Sequence, residues 1–306
     1  MSLNGWIILD KPVGLGSTTA VSAVKRILRA AGEPKTKVGH GGTLDPLASG
    51  VLPIALGEAT KLCGRLLDAT KGYMFTIKFG EETDTLDAEG KVVATNDTRP
   101  SLGAIKAVLS HFTGEIEQIP PAYAALKIDG KAAYARARAG EEVNVKPRNV
   151  TVFDLAQMYG TGWNLTEGDD RIVEEVTLRS LVSKGTYIRS LARDIARALG
   201  TVGYVSYLRR TRAGPFSLDH AVSLDFLEET AKARRLTRTV LPLTAALDDI
   251  PALPVTPDQA RLLRHGQVLV GFPAKPGLQL AISEGTPVAL VEASADGLRV
   301  VRGFNL

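Results

Sequence analysis

Gly39-His40-Gly41-Gly42-Thr43-Leu44-Asp45-Pro46-Leu47-Ala48-Ser49-Gly50-Val51-Leu52-Pro53 is the stretch on which the reading of this chain turns. Glycine and proline set the backbone so closely here that the segment reads as an ordered loop, with Asp45 at its centre. An acid held between glycines and a proline lies close to whatever docks on the loop. The same residues also suit a plain Asp-Pro turn, and His40 suits a packed or surface histidine. Toward the N-terminus, the apolar run Trp6 to Leu9 ends at Asp10-Lys11-Pro12 and predicts a strand entering a turn. A helix follows, expected to be capped by Thr18 or Thr19, with Val21, Val24, Ile27, Leu28 and Ala31 on one face and Gly32 closing it. Toward the C-terminus, Tyr73, Phe75, Ile77 and Phe79 alternate with Met74, Thr76 and Lys78, a half-buried strand. Ser101 opens another helix, with Ile105, Val108, Leu109 and Phe112 at helical spacing.

Farther out, Gln118 to Arg148 loses this regularity. Pro120-Pro121 begins the segment, Pro147 nearly ends it, and six cations face three acids, a net +3. A mobile basic insertion is expected there, poorly ordered alone and closing over RNA when RNA is bound. Val173 to Val182 predicts a strand and Tyr187 to Leu199 a helix. That helix carries Ile188, Leu191, Ile195 and Leu199 on its apolar face and Arg189, Arg193 and Arg197 at i, i+4 and i+8. Lys184 to Arg212 holds seven cations and one acid. Pro251, Pro254 and Pro257 mark a boundary, after which a short helix and several short strands suit a small barrel-like unit.

Composition bounds the function. The chain has 306 residues, a length for about two domains, and 37 Lys+Arg against 33 Asp+Glu for a net +4. That balance permits a nucleic-acid partner without requiring one. At 44% hydrophobic and 23% charged residues the chain is an ordinary globular protein. No apolar run reaches the roughly 18 residues of a membrane span, and the N-terminus does not resemble a signal peptide. One cysteine, Cys63, excludes an intrachain disulfide and suits a reducing cytoplasm. His40, His111, His220 and His265 are too scattered to make a metal site with it. Nucleophile-elbow and phosphate-loop motifs are absent, and Leu44 stands where a dinucleotide fingerprint wants its third glycine. Redox, ATPase and metallohydrolase chemistry are thereby disfavoured.

The run Gly39 to Pro53, followed by Gly57-Glu58-Ala59-Thr60-Lys61, closely resembles the catalytic motif of the bacterial tRNA pseudouridine synthase B family. Four further blocks agree in order: Asp10-Lys11-Pro12-Val13-Gly14 with Ser17; Lys71-Gly72-Tyr73 with Thr83 to Gly90; Ser183 to Leu191; and Leu208-Arg209-Arg210-Thr211. The resemblance covers Asn4 to about Leu247, and the tail loosely resembles a PUA-like RNA-binding barrel. It implies an α+β pseudouridine synthase fold with a mixed, mostly antiparallel sheet. Residues 1–248 would form the catalytic domain, with the insertion 118–148, and 249–306 the small barrel. It also implies a cytoplasmic, cofactor-free isomerase that turns uridine into pseudouridine at position 55 in the T loop of tRNA. No metal, membrane or obligate protein partner is implied, and a monomer is expected.

The resemblance also assigns residues. Asp45 matches the family's nucleophile, acting at the base or at the sugar. His40, Tyr73, Tyr187 and Leu208 match positions that hold the flipped uridine, and Tyr73 is also the candidate base for the proton that must leave. Arg189 matches an arginine that keeps Asp45 ionised. Lys184, Arg193, Arg197, Arg209 and Arg210, with Arg212, are candidates for the RNA backbone. By pattern alone, Tyr73 and Leu208 are core residues and the arginine stripe a solvated face. Two residues depart from the family pattern: Gly41 replaces a frequent Thr, and Gly16 a usual Thr or Ser. Two competing readings are a non-catalytic RNA-binding protein and the related subunit of guide-RNA-directed particles. An intact Asp45 with Tyr73 and Arg189 favours the enzyme, because pure phosphate binding has no use for an acid.

Overall fold

A computed structural model describes residues 3–124, 126–128, 131, 132, 136, 141, 145–158 and 168–306. Of the expected basic insertion 118–148, residues 125, 129, 130, 133–135, 137–140 and 142–144 fall outside them. The main sheet is built from β1 (Gly5–Lys11), β2 (Val38–His40), β3 (Ser49–Leu56), β4 (Lys71–Phe79), β7 (Gly114–Gln118), β10 (Arg148–Gln157), β11 (Glu175–Val182), β12 (Gly203–Ala213) and β13 (Phe216–Ser217). Its order is β1-β3-β12-β4-β11-β10-β7, with β2 added to β3 and β13 to β12. Two short ribbons lie outside it: β5 (Glu81–Thr83) with β6 (Val92–Thr95), and β8 (Lys127–Ile128) with β9 (Lys131–Ala132). All main-sheet pairings between described strands are antiparallel except one. That exception, β3 beside β12 at Ser49↔Arg209 and Gly50↔Arg210, adjoins the Asp45 loop.

Helices α1 (Ser17–Ala30), α3 (Leu102–Leu109), α4 (Ile188–Ala198) and α5 (Leu224–Lys232) cover one face of the sheet. The other face packs on α2 (Cys63–Asp68) and the C-terminal segments. Residues alternate between faces along β1. Ile7 and Leu9 join the helical core, while Trp6 and Ile8 join the second core with Phe216, Leu247 and Phe304. A strand covered on both faces reads in sequence as an unbroken apolar run, as Trp6–Leu9 does.

Ser101 caps α3 as expected, accepting from the Ala104 N–H. The expected cap of α1 is corrected: its N-cap is Gly16, with no side-chain cap bond, and Thr18 and Thr19 lie in the first turn. This gives the Gly16 departure a physical meaning, because Thr or Ser there would supply the missing acceptor, worth a few tenths of a kcal/mol over Gly.

A second sheet follows, ordered β14 (Ala252–Pro254), β16 (Gly277–Ser283), β17 (Thr286–Ser294), β18 (Gly297–Gly303) and β15 (Leu269–Val270). Helix α6 (Pro257–Arg264), closed by a Thr256–Gln259 capping box, packs against it over its own core of Val255, Leu263, Val288, Val291 and Leu298. Phe304, Leu280 and Leu290 tie the unit to the main sheet's second core, and Lys61 Nζ donates to the Gly303 carbonyl at 2.9 Å. The architecture is thus the α+β fold with a mixed sheet and a small C-terminal β unit. No helix among the described residues is long and apolar enough to cross a membrane.

Candidate active site

The Asp45 loop is clamped from three sides. Ser17 and Leu44 exchange two hydrogen bonds, the Ser17 hydroxyl donating to the Leu44 carbonyl at 2.9 Å and accepting from its N–H at 2.8 Å. Pro46's carbonyl accepts from the Gly14 N–H at 2.8 Å and from Lys11 Nζ at 3.3 Å. Arg210 spans the loop's base, its Nε donating to the Val51 carbonyl at 2.7 Å and Nη1 to that of Thr43 at 3.1 Å. Asp45 therefore stands on backbone fixed at the residues on either side. Gly50 makes the third clamp possible. Its φ is +98°, and a Cβ there would lie 2.2 Å from the Arg210 carbonyl oxygen, so a side chain would part β3 from β12.

Asp45 opens into a cavity of about 300 Å³ whose lining includes Tyr73, Tyr187, Arg189 and Leu208. Its Oδ2 pairs with Arg189 Nη2 at 2.8 Å. Arg189 is the first arginine of α4, only 5% exposed, and both of its Nη atoms are engaged. Nη1 donates to the Thr85 carbonyl at 2.9 Å and to Asp87 Oδ2 at 3.2 Å, and Nη2 donates to the Tyr123 carbonyl at 3.0 Å. The two carboxylates on this one cation differ in setting: Asp45 is 40% exposed and Asp87 3%. Asp87 also accepts from the Thr85 hydroxyl at 2.6 Å and the Glu89 N–H at 3.1 Å. Leu86 before it holds φ at +63°, a costly conformation for a branched side chain that aims its neighbour. Asp87 is thus a built counter-charge that sequence reading passed over, although it lies inside a quoted motif. A non-glycine at positive φ cannot be read from sequence.

Tyr187 is the N-cap of α4, where its N–H donates to Gln118 Oε1 at 2.8 Å. Arg148's guanidinium lies 5.5 Å from its ring centroid, and burial pushes its phenol above the usual range. Tyr73 is half-buried on β4, between Arg210 on β12 and Ser180 on β11. Leu208, 6% exposed, pairs in register with Phe75. His40 ends β2 half-buried, with Nδ1 lacking a partner among the described residues, and it is not part of the cavity lining. Beside it, a Cβ on Gly41 would lie 2.5 Å from Leu66 Cδ1. Leu66 of α2 fills the place that a larger side chain at this position would take.

Two buried lysines complete the surroundings. Lys11 donates to the carbonyls of Pro12, Leu15 and Pro46, and Lys71, in the cavity lining, to those of Leu67 and Ala69. Burial pushes each ammonium down to about 8.

The candidate RNA-backbone cations are occupied by the protein itself. Lys184 pairs with Asp68 at 2.9 Å, Arg197 with Glu82 at 3.0 Å, and Arg209 grips Asp10 with both Nη atoms at 3.0 and 2.7 Å. Arg193 pairs with Asp194 and donates to the Ile119 carbonyl, and Arg212 donates to the Gly214 carbonyl. Arg210 requires a correction. Successive strand residues point to opposite faces, so Arg209 and Arg210 cannot both lie on the outer face that would meet an RNA backbone. Arg210 is the inward one, 1% exposed, bracing the Asp45 loop at the edge of the cavity, with Nη2 lacking a partner among the described residues.

Residues 25–188 match the model of the TruB family pseudouridylate synthase N-terminal domain, and 189–248 that of the tRNA pseudouridylate synthase B C-terminal domain. The tRNA pseudouridine synthase B of Zymomonas mobilis is 57% identical over 304 residues, covering 99% of this chain and 97% of that protein. That of Novosphingobium aromaticivorans is 58% identical over 304 residues, covering 99% and 98%. Among solved structures, an H/ACA RNP bound to a substrate RNA containing 2'-deoxyuridine has a similar chain, with TM-score 0.69, 26% identity and coverage of 99% and 85%. A Cbf5-Nop10-Gar1 complex has another, with TM-score 0.69, 28% identity and coverage of 98% and 84%.

Proposed function

The chain belongs to the TruB family of pseudouridylate synthases, and from that premise we propose that it isomerises uridine to pseudouridine in tRNA, at position 55 of the T loop. The reaction breaks the N1–C1′ bond, forms a C5–C1′ bond, removes the proton from C5 and places one on N1. Nothing is oxidised or reduced, so the chemistry asks for a carboxylate and a proton acceptor in a closed site. A uridine within a folded loop must also leave its stack to be reached.

The observation that carries this reading is Asp45, 40% exposed in a cavity, on clamped backbone and paired with a buried arginine at 2.8 Å. Arg189 aims a carboxylate oxygen into the cavity, as adding to the base or to the sugar carbon requires. Because Arg189 is itself immobilised by Asp87, Thr85 and Tyr123, the Asp45 oxygen is positioned before substrate arrives. Tyr187 and Leu208 supply an aromatic and an aliphatic wall for an extruded base. Tyr73, in the same lining, is the acceptor for the C5 proton. The Arg197–Glu82 pair, whose arginine is 57% exposed, is a contact of small worth, which an RNA phosphate can replace at little cost.

The test is incubation with unmodified tRNA transcript, followed by chemical modification and primer extension. A single stop at position 55 is expected. An unmodified transcript would defeat the assignment of activity, and a stop elsewhere would defeat the assignment of position.

A further inference from the structure

The mild basicity of this chain is unevenly distributed. Segments 25–37 and 228–238 hold nine cations (Lys25, Arg26, Arg29, Lys35, Lys37, Lys232, Arg234, Arg235 and Arg238) and three acids. Their charge of +6 exceeds the chain's total of +4, so everything else sums to −2. The structure brings the two segments together. Helices α1 and α5 pack side by side, Arg26 faces Glu228 at 3.7 Å, and a shared groove runs from Arg26 and Ala30 to Ala231 and Lys232. Both helices therefore end at the same corner.

All nine cations are exposed, and of the nine only Arg26 has a carboxylate within ion-pair distance among the described residues. The arginines around the cleft are the opposite case, each spent on an internal partner. Cations at helix C-termini are commonly explained by the helix dipole, which accounts for Arg29 and Lys232. It does not account for Lys35 and Lys37 on the loop after α1, nor for Arg235 and Arg238 beyond α5. Lys25, Arg29, Lys35 and Lys37 line a groove of about 820 Å³. Concentrating unpaired like charge costs the folded state repulsion, and a polyanion relieves it.

The corner also has a definite place relative to the cleft. Lys37 precedes β2, whose Val38 pairs with Leu56 at the far end of β3. The near end of β3, Ser49, adjoins the Asp45 loop. Seven strand steps separate the two ends, roughly 23 Å, within one turn of a nucleic-acid duplex of about 34 Å.

We infer that this corner is a second RNA-backbone surface, holding phosphates of the substrate tRNA outside the T stem-loop that enters the cleft. The inference rests on the tRNA reading above. It assigns the corner to affinity, with no part in chemistry, since no cavity-lining residue belongs to it.

The experiment measures dissociation constants across a salt series for full-length unmodified tRNA and for the isolated T stem-loop. It uses wild type and the variant Lys25→Glu/Arg29→Glu/Lys35→Glu/Lys37→Glu. For full-length tRNA the variant should lose at least tenfold in affinity and about three from the log–log salt slope, at 0.7–0.9 per lost phosphate contact. Stem-loop affinity should stay within twofold and pseudouridine formation in the stem-loop unchanged. Lys35→Gln/Lys37→Gln, confined to the loop, should show a smaller loss on full-length tRNA only, which guards against a folding defect in α1. Equal full-length affinity in wild type and both variants, or equal loss on both RNAs, overturns the proposal. Should wild type bind tRNA yet form no pseudouridine, the functional reading fails while the binding comparison still decides the corner.

Discussion

The cleft and the α1–α5 corner hold positive charge in opposite ways. Around the cleft, Arg189 is buried between two carboxylates and two carbonyls, Arg210 is enclosed beneath the Asp45 loop, and Arg209 is gripped by Asp10. At the corner the side chains reach into solvent, and among the described residues only Arg26 meets a carboxylate. The difference teaches that counting cations along a sequence does not locate a polyanion site. A cation already paired inside the fold sets geometry, and its partner must be displaced before it can bind anything else. An unpaired one is available, and its cost to the fold is repulsion that a ligand removes.

The comparison can be broken first at Asp45. Asp45→Asn keeps the shape and leaves Arg189 paired with Asp87, so folding and tRNA binding should stay near wild type while single-turnover pseudouridine formation falls to background. More than a small fraction of the wild-type rate would remove Asp45 from the nucleophile's role. Next in size is Asp87→Ala. Removing the buried partner of a buried cation costs about 3–5 kcal/mol, which a denaturant titration would read as a large drop in midpoint. Turnover should fall too, because Arg189 loses its anchor. A midpoint like that of Asp45→Asn would show that the two carboxylates are equivalent.

A smaller effect concerns Lys71, whose folded-state value of about 8 lies below the ordinary 10.5 because of burial. Between these values the unfolded chain holds a proton that the folded chain has released, so this group makes stability rise with pH across that window. Denaturation at pH 8 and pH 10 should show wild type gaining relative to Lys71→Met. Parallel pH profiles would refute the burial argument. Smallest is Arg197→Ala at the exposed end of α4. The arginine is 57% exposed and its pair with Glu82 is worth less than about 1 kcal/mol, so the unfolding midpoint should barely move. A loss approaching that of Asp87→Ala would erase the distinction between the two ends of the helix.

What the sequence determined by itself is local. Apolar periodicity located the core of β4 and α4, because each pattern reports the face that an element buries, while an unbroken apolar run marked β1 and Gly and Pro punctuation the short strands after Pro251. Ser101 announced the start of α3 through its own hydroxyl. The motif blocks carried Asp45, Tyr73, Tyr187, Arg189 and Leu208, and the fold brought all five into the lining of one cavity. Opposition across space was decided only by the tertiary structure. Arg189 and Asp87 are 102 residues apart, and no periodicity says that one neutralises the other. Arg209 and Arg210 look alike in sequence, yet strand alternation turns one toward Asp10 and the other into the loop's base. Thr18 and Thr19 looked like caps, but α1 begins two to three residues earlier, at a Gly16 cap, with the Ser17 hydroxyl committed to Leu44. The +6 corner came from two segments nearly 200 residues apart, each unremarkable alone. Periodicity is a property of one element, whereas charge pairing depends on which elements meet, and burial of the shared core selects those meetings.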